Sequence, residues 1–278
     1  MLDWDNCDPA VLTAAYDNAG AVDGARTIVA GWAERSGRLR AKRTEALDMP
    51  YGVAPRMKWD VFPASDRSAP CLVFVHGGYW QMNGREGFSC MAEGALARGW
   101  SAALPGYSLA PEASMTKIVA EMGRALDFLA DHRRLHDLDG PVILAGWSAG
   151  AHLCAMHARH PIVRATVLVS GIYDLRPIAG TGLNAALCLT DAEVRDLSPV
   201  RHGTPEVPMI IAYGADELPE LRRQSVAFAA HCVEGGRSAV MTLPVKGANH
   251  FSVLDHLRDT DGEIMAIIDH MVGGMVSL

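Results

Sequence analysis

The chain has 278 residues, 49% of them hydrophobic and 21% charged. That balance excludes a mainly disordered polypeptide and suits a sizeable buried core without metals or disulfides. Twenty-five basic against 32 acidic residues leave a net charge of −7, which excludes a general polyanion binder, because phosphate backbones need a basic surface. The start, Met1-Leu2-Asp3-Trp4-Asp5, is acidic and leads into no long apolar run. The sequence therefore predicts neither a secretory leader nor a membrane span, and a cytoplasmic protein. The cysteines at 7, 71, 90, 154, 188 and 232 form no Cys-x-x-Cys pair and are read as reduced and structural.

Residues 1–50 are predicted as a helical segment, with Asp8-Pro9 starting a helix over 9–18 and an Ala- and Arg-rich helix over 23–42. Met57 to Phe62 alternates as a strand does, and Cys71 to Val75 is a short apolar run of the kind buried on both faces. A weaker strand covers 100–104. Ser114 to His136 reads as a helix with Ile118, Met122, Ala125, Leu126 and Leu129 on one stripe. Strand 142–145, helix 149–160 and strand 165–169 follow. Residues 176–206 are predicted as irregular with short helices. Strand 209–213, helix 218–234, strand 239–243 and helix 261–272 complete the chain. Strands alternating with helices predict an α/β fold, with a mostly parallel central sheet and helices on both faces. Residues 51–278 form one domain in this reading. The helical segment 1–50 is an appendage that either caps the site or makes a dimer contact.

Gly146-Trp147-Ser148-Ala149-Gly150 joins a predicted strand to a predicted helix. A Gly-x-Ser-x-Gly turn in that context is tight enough to need small residues on both sides of the serine, and it holds the hydroxyl above the sheet as a nucleophile. A plain strand-to-helix turn is the competing reading. His76-Gly77-Gly78-Tyr79-Trp80 follows strand 71–75. Its glycines let backbone N–H groups approach a ligand, so Gly77 and Gly78, with the Ala149 N–H, are the candidate oxyanion donors. His76 is read as structural, because it precedes the serine.

A serine nucleophile needs a base and the base an orienting acid. Asp216 and His250 both follow strands, where open α/β sheets place their sites. Glu217 and Glu220 compete with Asp216, which is nearer the strand end. His256 and His270 compete with His250. His132 and His136, four apart on a helix, are read as a solvated face, and His152, His157 and His160 as surface or helix-end residues. With no metal motif, phosphate loop or dinucleotide fingerprint, the sequence predicts hydrolysis without a metal or other cofactor.

These residues resemble a known family. His76 to Trp80 together with Gly146-x-Ser148-x-Gly150 is similar to the α/β-hydrolase fold of kynurenine formamidases (arylformamidases) and their bacterial esterase relatives, over about 50–260. Tyr107 to Glu112, Ser170 to Leu175, Asp216 to Glu220 and Arg223-Gln224-Ser225 add to the likeness. Trp147 departs from it, standing where such enzymes often carry His, and so does Ala185, where they carry an acidic residue. The resemblance implies Ser148 as nucleophile, Asp216 as acid, His250 as base and the 77–78 loop as oxyanion donor. It further implies cleavage of a small acyl amide such as N-formyl-L-kynurenine. A broad short-chain carboxylesterase or thioesterase is the alternative, and a catalytically inactive binding protein of the same fold a third. Tyr79, Trp80, Trp147 and Phe251 are candidate substrate-contacting aromatics, with core packing the competing role. The expected partner is a small-molecule amide or ester, not nucleic acid or membrane, with a homodimer as the one protein contact considered.

Overall fold

A computed structural model describes residue 4 and residues 7–43, 46–236 and 239–276. The acidic start, apart from Trp4, lies outside them. An eight-stranded sheet is ordered β1-β2-β4-β3-β5-β6-β7-β8. Its strands are β1 (Met49–Pro50), β2 (Lys58–Phe62), β3 (Cys71–Val75), β4 (Ser101–Pro105), β5 (Val142–Trp147), β6 (Val163–Val169), β7 (Met209–Gly214) and β8 (Val240–Val245). The pairings β1–β2 and β2–β4 are antiparallel, and all others are parallel. The predicted strands are therefore present within one or two residues of their expected ends. The two-residue β1 carried too little pattern to be read.

The apolar runs 71–75 and 142–145 are explained by the two-residue period of a strand covered on both faces. Cys71, Val73, Val75, Val142 and Leu144 enter one core cluster, while Leu72, Phe74, Ile143 and Ala145 enter the other. Helix α4 (Met115–His132) seals the first with Ile118, Met122, Ala125, Leu126 and Leu129. Its N-terminus is capped by the Ser114 hydroxyl, which accepts from the Lys117 N–H. Helix α11 (Glu263–Val276) seals the second with Ile264, Met265, Ile268 and Val272.

Between the strands lie α3 (Glu93–Ala97), α5 (Ala149–Met156), α6 (Arg176–Ala179), α7 (Asn184–Leu187), α8 (Asp191–Asp196), α9 (Pro219–Glu234) and α10 (Asp255–Arg258). Helix α5 stops at Met156, short of the expected His160. His152, expected at the surface, is fully buried, with Nε2 against the Leu197 carbonyl at 2.7 Å and the ring edge-on to Trp80. Every residue from Ala149 to Cys154 is buried, so the first part of α5 leaves position 152 no surface to face.

The N-terminal segment holds α1 (Pro9–Ala14) and α2 (Ala25–Lys42). It packs against both clusters, placing Leu12 and Tyr16 in the first and Ala25 and Trp32 in the second. Among the described residues no helix is long and apolar enough to cross a membrane.

Candidate active site

Strands β3, β5, β6, β7 and β8 end side by side, with Val75 opposite Gly146, Trp147 opposite Val169 and Gly214 opposite Val245. Ser148 sits between β5 and α5 at φ 55° and ψ −119°. Holding a non-glycine residue there costs of order 1–3 kcal/mol. The flanking glycines explain how the turn closes. A Cβ on Gly146 would lie 2.5 Å from the Gly150 carbonyl oxygen, and one on Gly150 would lie 2.1 Å from that of Val75. The Ser148 N–H donates to the Val169 carbonyl at 2.8 Å, pinning the turn to β6.

His250 is 3% exposed and its Nδ1 lies 2.9 Å from Glu217 Oε2. Glu217, not Asp216, is therefore the carboxylate on the imidazole. Gly214 to Glu217 is a turn closed by the Glu217 N–H on the Gly214 carbonyl. The turn folds residue 217 back under the strand end and leaves the Asp216 side chain exposed. Asp216 is nearer the strand in sequence, but the turn's geometry decides which carboxylate faces His250. Glu217 Oε1 also accepts from the Gly214 N–H at 2.6 Å and from the Ser170 hydroxyl at 2.5 Å. An acceptor-only carboxylate on Nδ1 puts the imidazole proton there and leaves Nε2 free to take another. Glu220 is engaged elsewhere, accepting from Arg223 Nε at 2.8 Å. Ser170, at the end of β6, is a residue the sequence reading left without a role.

Trp147 holds the histidine from the other side. Its indole N–H donates to the His250 carbonyl at 2.8 Å, and the two ring centroids are 5.0 Å apart. Asn249 Oδ1 accepts from the N–H groups of Phe251 and Ser252, which fixes the loop that carries His250.

Gly77 packs against the elbow. A Cβ there would meet Trp147 Cε3 at 2.7 Å and Ser148 Cβ at 3.0 Å. Among the described residues nothing accepts from the N–H groups of Gly77, Gly78 or Ala149. His76 lies beneath this loop, stacked on Tyr107 at 4.4 Å, with Nδ1 2.8 Å from the Gly77 carbonyl oxygen. Burial pushes its pKa down to about 4.

Ser148, His250, Tyr79, Trp147 and Phe251 line one cavity of about 480 Å³. Trp80, expected with them, is fully buried away from it against His152. The backbone turns at positive φ at both Tyr79 and Trp80, which separates the two rings. The opposite wall comes from the N-terminal segment, including Thr13, Tyr16, Asp17, Asn18 and Arg26. Tyr79 ties that wall to the loop, its hydroxyl donating to the Tyr16 carbonyl at 2.6 Å and accepting from Asn18 Nδ2 at 2.9 Å. Gln224 ties it to the body, donating to the Tyr16 hydroxyl at 3.1 Å. The sequence offered capping of the site as one of two roles for this segment, but no motif marks the individual residues that line the cavity. Among the described residues no cluster of three or more His, Cys, Asp or Glu could hold a metal ion.

The BD-FAE family pattern matches residues 60–165, the stretch from β2 to the start of β6. A kynurenine formamidase of Danio rerio is 28% identical over 98% of this chain and 99% of its own length. That of Salmo salar is 29% identical over 86% of each. The esterase LipQ of Mycobacterium tuberculosis is 24% identical over 77% of this chain and 59% of its own. Among solved structures, a provisionally named thioesterase from Silicibacter sp. TM1040 superposes with a TM-score of 0.83 at 28% identity, covering 93% of this chain and 98% of that one. An esterase of Thermogutta terrifontis gives 0.67 at 20% identity, covering 83% and 95%. The sheet order, the serine elbow and the end-to-end likeness agree: the chain has the α/β-hydrolase fold, is similar to kynurenine formamidases over nearly its whole length, and is a hydrolytic enzyme.

Proposed function

We propose that the enzyme hydrolyses the formamide of an aryl amine, N-formyl-L-kynurenine before others, through a formyl-enzyme on Ser148. The observation that carries this reading is the likeness to kynurenine formamidases over 98% of the chain and 99% of the relative. A flat aryl leaving group also suits a cavity walled by Tyr79, Trp147 and Phe251.

In this mechanism His250 Nε2 takes the Ser148 proton as Oγ attacks the formyl carbon. The N–H groups of Gly77, Gly78 and Ala149 receive the oxyanion, at about 3–4 kcal/mol per donor in comparable sites. Glu217 holds the proton on Nδ1 and stabilises the imidazolium. The C–N bond breaks as His250 returns the proton to the amine nitrogen. Water, deprotonated by His250, then attacks the formyl ester, and formate leaves with Ser148 regenerated. The enzyme's partner in this reading is the small-molecule substrate. Its compartment is the cytoplasm, a placement supported by cysteines that are all free.

The experiment is a comparison of kcat/KM for N-formyl-L-kynurenine and 4-nitrophenyl acetate, with Ser148→Ala as control. Efficient formamide cleavage that Ser148→Ala abolishes is expected. Fast ester and negligible formamide turnover would instead favour a short-chain esterase or thioesterase, the reading that the Silicibacter and Thermogutta structures support.

A further inference from the structure

We infer that the turn between α1 and α2 is a subsite for a zwitterionic amino-acid head on the leaving group, with Arg26 taking its carboxylate and Asp17 its ammonium. This rests on the formamidase reading and adds to it the residues that choose the substrate. Arg26 is the one guanidinium and Asp17 the one carboxylate among the residues lining the catalytic cavity. Asp17 lies in the turn and Arg26 at the start of α2, yet no ion pair joins them, and among the described residues Arg26 is paired with nothing. Among the described residues the Asp17 carboxylate accepts only from the Gly20 N–H, at 2.8 Å. Two opposite charges that share a cavity without neutralising each other suit a ligand that carries both.

Local backbone strengthens the anion half. Helix α2 is 18 residues long and opens at Gly24, φ 73°, with no side-chain cap and no acidic residue in its first turn. Among the described residues nothing accepts from the N–H groups of Arg26 and Thr27. Ala25 and Arg26 both line the cavity, so this uncapped end, with its partial positive charge, borders the place where substrate sits.

An independent observation supports the cation half. Asn18, in the same wall and only 4% exposed, gives its Nδ2 to Tyr79. The Tyr79 proton is spent on the Tyr16 carbonyl, so the tyrosine oxygen can only accept and the Asn18 amide cannot turn over. Its Oδ1 is left without a donor among the described residues. An ammonium group between Asp17 and Asn18 supplies one. A zwitterion has no net charge for the whole-chain charge of −7 to steer, which makes a local guanidinium the means of holding its carboxylate.

The test is calorimetric binding of two probes, kynurenine and 2-aminoacetophenone, which share the aryl ketone and amine and differ in the amino-acid head. In the wild type kynurenine is expected to bind about tenfold more tightly or better, the scale of one charge-assisted contact. Arg26→Ala should erase most of that margin and Arg26→Lys should keep part of it. Added salt should shrink the margin in the wild type, since both charges are exposed. Equal affinities in the wild type, or a margin that survives Arg26→Ala, overturn the subsite. Turnover of N-formyl-L-kynurenine is read separately, and its absence overturns the formamidase reading without touching the binding margin.

Discussion

Exchanging the two adjacent carboxylates one at a time gives the sharpest test of the site. Glu217 is buried, and each of its oxygens is committed. Oε1 accepts from the rigid Gly214 N–H and from Ser170, and Oε2 faces His250 Nδ1. In Glu217→Gln the amide oxygen must stay with the Gly214 N–H, which can only donate. The new NH2 group then points at Nδ1 and forces the imidazole proton onto Nε2, where it blocks the base. The cost of the wrong tautomer in a serine–histidine–carboxylate triad is on the order of 10⁴ in kcat, or about 5 kcal/mol of barrier. The side chain keeps its volume, so the fold should survive with only a modest loss of stability. Asp216→Asn alters an exposed carboxylate with no bond to His250 and should change kcat by less than about threefold, within the usual range for surface substitutions. Hydrolysis of 4-nitrophenyl acetate, followed alongside thermal unfolding of both variants, reads the difference. A 10³-fold loss in Asp216→Asn with near-normal Glu217→Gln would refute the assignment.

Three further outcomes follow from the same geometry. Tyr79→Phe strips the hydroxyl that joins Tyr16 and Asn18, leaving buried polar groups unpaired. Denaturant titration should show a loss of about 1–3 kcal/mol, and KM should rise more than kcat falls. Trp147→Phe removes the N–H that holds the His250 carbonyl while keeping a ring against it. Activity should drop about three- to tenfold, the value of one buried neutral hydrogen bond, and unchanged kcat/KM would show that the bond does not position His250. Burial holds the pKa of His76 and of His152 at about 4, below the unfolded value near 6.5. The unfolded chain therefore binds more protons between pH 6.5 and 4, and each histidine should lower stability by about 1.4 kcal/mol per pH unit as pH falls through that window. Above pH 6.5 neither contributes a slope. Guanidinium midpoints that stay flat from pH 7 to 5 would contradict this.

The features legible in the sequence were those fixed by short-range chemistry. A run such as Cys71 to Val75 has few places to go except the middle of a covered sheet, and the stripe on α4 has only one face to bury. The serine elbow was legible for the same reason: its glycines answer clashes with atoms four residues away or on the next strand. His250 stood just beyond a strand in a loop stiffened by Asn249, again a local arrangement. The proposed order of serine, acid and base along the chain follows from parallel strands that bring successive C-terminal ends to one edge, although the acid expected there was Asp216 and the carboxylate on His250 is Glu217.

What escaped the sequence depends on direction, not on position. Asp216 and Glu217 are neighbours with the same charge, and a four-residue turn decides which one faces inward. His152 and Trp80 look like surface and pocket residues until the pitch of α5 and two positive-φ residues turn them towards each other. The N-terminal wall is the extreme case. Tyr16, Asp17, Asn18 and Arg26 lie more than a hundred residues from Ser148 in the chain, on a segment without a motif. They reach the cavity because Leu12 and Trp32 on either side of them are buried in different core clusters. A segment anchored on both faces of the sheet has to cross its edge, and the edge it crosses carries Ser148 and His250. The catalytic groups belong to the fold that the strands build. The wall facing them comes largely from a segment that adds no strand to the sheet, and the proposed subsite at Asp17 and Arg26 puts the choice of substrate there.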